Sequence, residues 1–249
     1  MTLEELFATL AIRFKEVIAN DELLGFPVKV TCHALSAQEA IGDTARKDYP
    51  LLNGKDIMVQ AEVDGGIGQV FTDSPVEFKG TVEEILKLDF VNSGYNRTIF
   101  IATLNAVLNK YQMIGQTVHC KGDEPEKCAQ VMGDWIEKKY QHPKIAQVGF
   151  QPAMLANLSC RFDVRVLDLN PAVIGTTSSG VRVLDGVKDY QETVIEWADI
   201  VLCTGSTLTN GTIVNYLGLN KDVYFYGITI AGAAKLLGLN RLCYVGNLG

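Results

Sequence analysis

The feature that most constrains the fold is a change of rhythm at Lys144, after which short apolar runs alternate with helical segments. Strand patterns fall at residues 145–149, 164–167, 181–184, 200–203, 223–226 and 242–245. Helices begin between most of them, near Pro152, Gln191, Thr209 and Thr229. This alternation predicts a parallel sheet with right-handed crossovers. Ligands of such sheets bind at the carboxyl ends of the strands.

Those strand ends finish in small or polar residues: Gly149-Phe150-Gln151-Pro152, Asp168-Leu169-Asn170-Pro171, Gly227-Ile228-Thr229, and T-G-S-T-L-T-N-G-T at 204–212. The last is read as a strand breaking into a helix, whose first N–H groups lack internal partners and attract anions. Gly205 would let backbone approach a ligand, and Ser206, Thr207, Thr209, Asn210 and Thr212 would supply short polar contacts. The competing reading is that Thr209 or Asn210 only caps the helix, a contribution of about 1 kcal/mol.

The first half has another rhythm. Leu3, Leu6, Phe7, Leu10, Phe14, Val17 and Ile18 recur at helical spacing, predicting a helix over 3–20 that Gly25 and Pro27 end. Val28, Val30 and Cys32 alternate with Lys29, Thr31 and His33 as in a half-buried strand. Runs at 57–63 and 67–71 flank Asp64-Gly65-Gly66, a hairpin signal. Thr81 with Glu84 forms a capping-box pattern. A helix over 95–111 carries small residues for close packing, with Asn105 among them. The first half therefore reads as an antiparallel meander followed by helices.

With 249 residues, 47% of them hydrophobic, the chain can bury a sizeable core. Its 22 Lys and Arg against 29 Asp and Glu give a net charge of -7, which argues against nucleic acid or an anionic membrane as partner. There is no basic leader, and no apolar run approaches the roughly 18 residues of a membrane span, so a cytoplasmic location is expected. The cysteines (Cys32, Cys120, Cys128, Cys160, Cys203 and Cys243) form no C-x-x-C pair and are expected to be reduced.

Asp168 follows Gly149 by 19 positions, where dinucleotide-binding folds place a ribose-holding acid. However, G-F-Q-P replaces the start of G-x-G-x-x-G and no P-loop lysine motif exists, which argues against NAD and FAD. A nucleoside-like or methyl-donor ligand stays open. A serine triad needs a histidine, and His33, His119 and His142 all lie away from the sheet edge in sequence. His119-Cys120 with Cys128, or Cys32-His33, would be the local metal candidates, but adjacent residues on an extended segment point to opposite sides. No metal ligand set is assigned; Asp64 and Asp168 are hard-oxygen candidates without a spacing rule.

V-G-F-Q-P-A-M-L from Val148, V-R-V-L-D-L-N-P from Val164 and A-D-I-V-L-C-T-G-S-T-L-T-N-G-T from Ala198 resemble the putative heavy-metal chelation domain family of prokaryotes. In the first half, G-I-G-Q-V-F-T from Gly66 and N-S-G-Y-N-R-T-I-F-I-A-T-L-N-A-V-L-N from Asn92 are similar to its companion domain. The resemblance implies an α/β protein. An enolase N-terminal-like α+β domain (1–111), a linker and helix (112–143) and a Rossmann-like parallel-sheet α/β domain (144–249) would follow in order. The likeness to enolases supplies fold and no chemistry, because their catalytic metals belong to a barrel domain that this chain lacks. One departure stands at Ile228, where the family is expected to follow Gly227 with proline.

The implied site is a cleft between the domains. Gly149, Gln151, Pro152, Asp168, Asn170, Thr204, Gly205, Ser206, Asn210, Gly211 and Thr212 would form one side, with Thr229 from the last strand end. Asn92, Ser93, Asn96 and Asn105 are taken as the opposite wall. The expected function is binding of a small polar or anionic ligand, a divalent metal or heavy-metal chelate included, with Asp168 accepting hydrogen bonds or acting as a base. Two alternatives stay open: an enzyme using a nucleoside-containing donor such as a methyl donor, and a non-catalytic binding protein. Whether the chain catalyses a reaction, and whether it forms a homodimer, also stay open.

Overall fold

Helix α1 (Leu3–Ile18) starts where Thr2 accepts from the Glu5 N–H and the Glu5 carboxylate accepts in return from the Thr2 N–H, a reciprocal cap. In this computed structural model the described residues are 1–19, 27–32, 41–49, 52 and 57–244. The expectations at Gly25, His33 and Val245 lie outside them.

A four-stranded antiparallel sheet follows, made of β1 (Pro27–Cys32), β2 (Ile57–Val63), β3 (Gly66–Thr72) and β4 (Phe78–Thr81), in the order β3-β2-β1-β4. Asp64 and Gly65 turn the β2–β3 hairpin with φ of 45° and 83°, the left-handed geometry that a two-residue turn requires. Thr81 and Glu84 cap the short helix α2 (Val82–Ile85) as the sequence predicts.

Helix α3 (Gly94–Lys110) is apolar on all sides and buried from Thr98 to Leu108. A helix with no polar face belongs inside. It packs against β3 and β2 on one side and the last helix on the other. Gly66 and Gly68 make the approach possible: a Cβ on either would stand 2.2 Å from a carbonyl oxygen of α3.

Beyond α4 (Glu124–Tyr140) comes the predicted parallel sheet. Its strands are β5 (Lys144–Val148), β6 (Asp163–Asp168), β7 (Thr177–Ser178), β8 (Val181–Asp185), β9 (Ile200–Thr204), β10 (Asp222–Tyr226) and β11 (Arg241–Leu242). The order is β11-β10-β9-β5-β6-β8-β7, parallel except for β7, an antiparallel edge that the sequence did not signal. Helix α5 (Pro152–Ser159), a π-helical turn (Gln191–Trp197), α6 (Ser206–Asn210), a 3-10 turn (Thr212–Asn215) and α7 (Ala231–Leu237) connect the strands.

Successive residues of the central strands serve opposite layers. Ile145, Ile200, Leu202 and Tyr224 pack with α4 and α5. Ala146, Val201, Cys203 and Phe225 join a core that continues through α3 and α1 into the antiparallel sheet. No helix among the described residues is long and apolar enough to cross a membrane.

Candidate functional site

The chain runs β5, β6, β8 to one side, then returns to lay β9, β10 and β11 on the other, so the order reverses between β5 and β9. At that switch point the strands cannot be bridged by their own loops, and a crevice opens at their carboxyl ends. Here it is a cavity of about 650 Å³, within the range of small-molecule sites. Gly149 sits at the junction with φ +91°, and a Cβ there would lie 2.6 Å from Thr204 Cγ2. Beneath it the buried Tyr226 hydroxyl donates to the carbonyls of Val148 and Gly149 at 3.0 and 2.9 Å. Burial pushes this phenol well above its ordinary pKa.

Of the residues assigned from sequence, Gly149, Gln151, Pro152, Asp168, Asn170, Thr204, Gly205, Ser206, Asn210, Thr212 and Thr229 line this one cavity. Gly211 does not; it packs against Leu3 of α1 and near Arg97. Asn92, Ser93 and Asn96 are also elsewhere. Ser93 caps α3 by accepting from the Asn96 N–H, and the amides of Asn92 and Asn96 donate to Asp89. The wall facing the sheet comes instead from Phe71, Thr72 and Asp73 at the end of β3, from His119 and Cys120, and from Cys128 and Met132 of α4.

Asn105 is a staple rather than a lining residue. Fully buried, it accepts from the Gly232 N–H at 2.8 Å and donates to the carbonyls of Ile228 and Thr229 at 3.2 and 3.3 Å and of Gln69 at 3.4 Å. The corner where Ile228 replaces the expected proline is thus fixed by a side chain of α3.

Three further sequence readings change. Gly205 admits protein backbone, since a Cβ there would stand 2.7 Å from the Ile230 nitrogen. Helix α6 starts at Ser206, not near Thr209, and has five residues, stopped by Gly211 at φ +83°. So short a helix aligns few peptide dipoles. The hydroxyls of Thr207 and Thr209 are taken up by backbone carbonyls, Thr207 on Thr204 and Thr209 on Ser206 and Phe71. Thr229 likewise accepts from the Phe71 N–H at 3.0 Å.

The polar groups left to a ligand are mainly amides. The Gln151 side-chain oxygen accepts from the Met154 N–H, that of Asn170 from Ala172 at 3.0 Å, and that of Asn210 from Thr212 at 2.9 Å. A backbone N–H can only meet the oxygen of an amide, so each side chain is locked in one orientation. Beyond the carboxyl ends of three adjacent strands, β5, β6 and β9, each thereby offers an NH2 that donates to no group among the described residues. Asp168 is equally fixed: its two oxygens accept from the N–H groups of Phe150 and Asn170 at 2.6 and 2.7 Å. The sequence displayed these residues but not which half of each amide was spent.

The fold agrees with comparison to known proteins. Residues 134–246 match the model of a family described as putative heavy-metal chelation. This segment is similar to the DUF364 family. A crystal structure of a DUF364 protein of unknown function from Pyrococcus horikoshii matches with a TM-score of 0.53 at 16% identity, covering 90% of this chain and 79% of that one. A second DUF364 structure, from Desulfitobacterium hafniense, gives 0.46 at 15% identity, with 73% and 72% covered. No curated protein matches the chain. The parallel-sheet strand ends of the cavity lie within the matched segment, whereas Phe71, Thr72 and Asp73 at the end of β3 precede it. Among the described residues, no group of three or more His, Cys, Asp or Glu is disposed to hold a metal ion.

Proposed function

We propose that the chain binds a small, oxygen-rich anion in this cavity, a carboxylate- or phosphate-bearing molecule of the kind that carries a heavy metal as its chelate. The observation supporting this is the set of three locked amides, Gln151, Asn170 and Asn210. Their NH2 groups suit the oxygens of an anion, while Asp168 accepts from a ligand hydroxyl or takes its proton. The metal enters as cargo held by its organic partner, in keeping with the family description.

A panel of di- and tricarboxylates and phosphates, each offered free and metal-loaded, tests this by thermal shift and titration calorimetry. At 100 times its dissociation constant a true ligand adds about 2.7 kcal/mol of stability. Asn170→Ala and Asn210→Ala are each expected to weaken it by about 10-fold or more, the scale of a hydrogen bond to a charged group. If no member of the panel binds the folded protein, or if both variants bind as tightly as the parent, the reading is lost.

A nucleoside-containing donor is the second reading, favoured by the position of Asp168 at the end of β6, next to the glycine turn that follows β5. A thermal shift with adenosine and methyl donors, and none with the anions, would select it.

A further inference from the structure

The cavity is larger than its polar groups need. At about 30 Å³ per water, its volume of about 650 Å³ has room for roughly twenty waters. A tricarboxylate of about a dozen heavy atoms, each displacing at most one water, leaves more than about a third of that space unfilled. The remainder is apolar.

Along the sheet edge the cavity passes the ends of β6, β5, β9, β10 and β11 in turn, from Asp168 to Leu242. Four strand spacings of about 4.8 Å put roughly 19 Å between those limits. The three locked amides and Asp168 serve the part beyond β5, β6 and β9. Toward β10 and β11 the lining changes: Ala129 and Met132 of α4, Met154 of α5, Tyr226 of β10 and Leu242 of β11 border the cavity, and the same five belong to the apolar cluster between those helices and the sheet. The cavity thus enters a core layer. The one polar atom of the Tyr226 side chain is spent on the Val148 and Gly149 carbonyls. Burial pushes the neighbouring Cys120 thiol up to about 11, so it stays neutral and behaves as a small hydrophobe.

A core layer is ordinarily filled to the density of an organic crystal. Space walled by apolar side chains takes an apolar guest in preference to water. Met132 and Met154, unbranched and polarizable, adapt their shape to such a guest. We propose that the ligand is an amphiphile, with a carboxylate and neighbouring hydroxyl held by the amides and Asp168, and an aliphatic tail lying along β10 and β11 against α4. Medium-chain α-hydroxy acids are the chemical class. This inference rests on the anion reading above and adds the part of the molecule that the amides do not touch.

The test titrates α-hydroxybutanoate, α-hydroxyhexanoate and α-hydroxyoctanoate into the full chain by calorimetry at several temperatures, below the concentrations at which they form micelles. Affinity should rise about fourfold per added methylene, the fold-change for burying one CH2. The heat-capacity change of binding should become more negative at each step. Both trends are read on the parent protein, so neither depends on a variant folding. Met132→Gln should weaken α-hydroxyoctanoate by about 10-fold more than α-hydroxybutanoate, because the tail then meets an unpaired amide. Asn170→Ala should instead weaken every acid by the same factor and leave the slope as it is. The melting temperature of each ligand-free variant is measured alongside. A rise of less than about twofold per methylene, with the acids still bound, would overturn the tail and leave the anion reading standing. Straight-chain alcohols of equal length that bind as tightly as the acids would overturn the head, and the anion reading with it. Failure of every acid to bind would overturn the proposal outright, and the carboxylate and phosphate panel then decides the anion reading by itself.

Discussion

Gly68→Ala is expected to abolish the folded state at ordinary temperature. A methyl group at this position would stand 2.2 Å from the Ala102 carbonyl oxygen and 2.4 Å from the Ala106 nitrogen. Both are backbone atoms of a helix buried on every side, so no side chain can swing away. Relief requires α3 to move off β3, and α3 also holds the corner of the parallel sheet through Asn105. Overpacking usually costs about 1–3 kcal/mol, and a clash with fixed backbone belongs at or above about 4 kcal/mol. That is most of the stability of a domain at the low end of the usual range of about 5–15 kcal/mol. Soluble yield and the urea midpoint by circular dichroism provide the measure. Gly65→Ala is the control: its φ is +83° but nothing lies within 4 Å of the added carbon, so only left-handed strain of about 1–2 kcal/mol applies. Equal losses in the two variants would show that close approach to the helix is not what Gly68 provides.

Asn105→Ala should be the most damaging change at a polar side chain. The bond from Gly232 disappears, the Thr229 carbonyl loses the amide donor, and the Ile228 carbonyl keeps only the Ala231 N–H. Each buried group left unsatisfied costs about 1–3 kcal/mol, so a loss of about 3 kcal/mol is expected in urea unfolding. Asn105→Asp should be worse, since it keeps an acceptor for Gly232 but turns a carboxylate toward carbonyl oxygens. Ligand affinity should fall in both variants, because Thr229 and Ile228 are part of the cavity wall. An alanine variant within about 0.5 kcal/mol of the parent, the scatter of neutral surface changes, would show the staple to be dispensable.

Much of this arrangement is legible in the sequence because it rests on local pattern. The hairpin at Asp64 and Gly65, the capping box at Thr81 and Glu84, and the rise of parallel strands after Lys144 all follow from spacing and turn chemistry. β7 escaped because two residues, Thr177 and Ser178, carry no period. The orientation of Asn105 was hidden for a different reason: on a helix apolar all round, no stripe marks which side faces what. The asparagines at 92 and 96 look in sequence like ligand contacts, yet their amides serve Asp89 at the start of α3. Thr207, Thr209 and Thr229 line the cavity, but the backbone uses their hydroxyls. Sequence can name the polar atoms near a cleft; only the hydrogen-bond account says which remain available.

Strand β3 is an edge, and an edge is where one sheet can recruit a strand from another molecule. Here the Phe71 N–H donates to Thr229 and its carbonyl accepts from Thr209, while Gln69 donates to the Thr117 carbonyl further along. The outer rim is therefore occupied by hydroxyl groups and a crossing loop instead of a fifth strand. Threonines that hold one wall of the pocket in register thus also guard the sheet against runaway self-association. Removing either hydroxyl would expose a template for aggregation at the same moment that it loosened the pocket, so loss of binding and loss of solubility should travel together at these two positions.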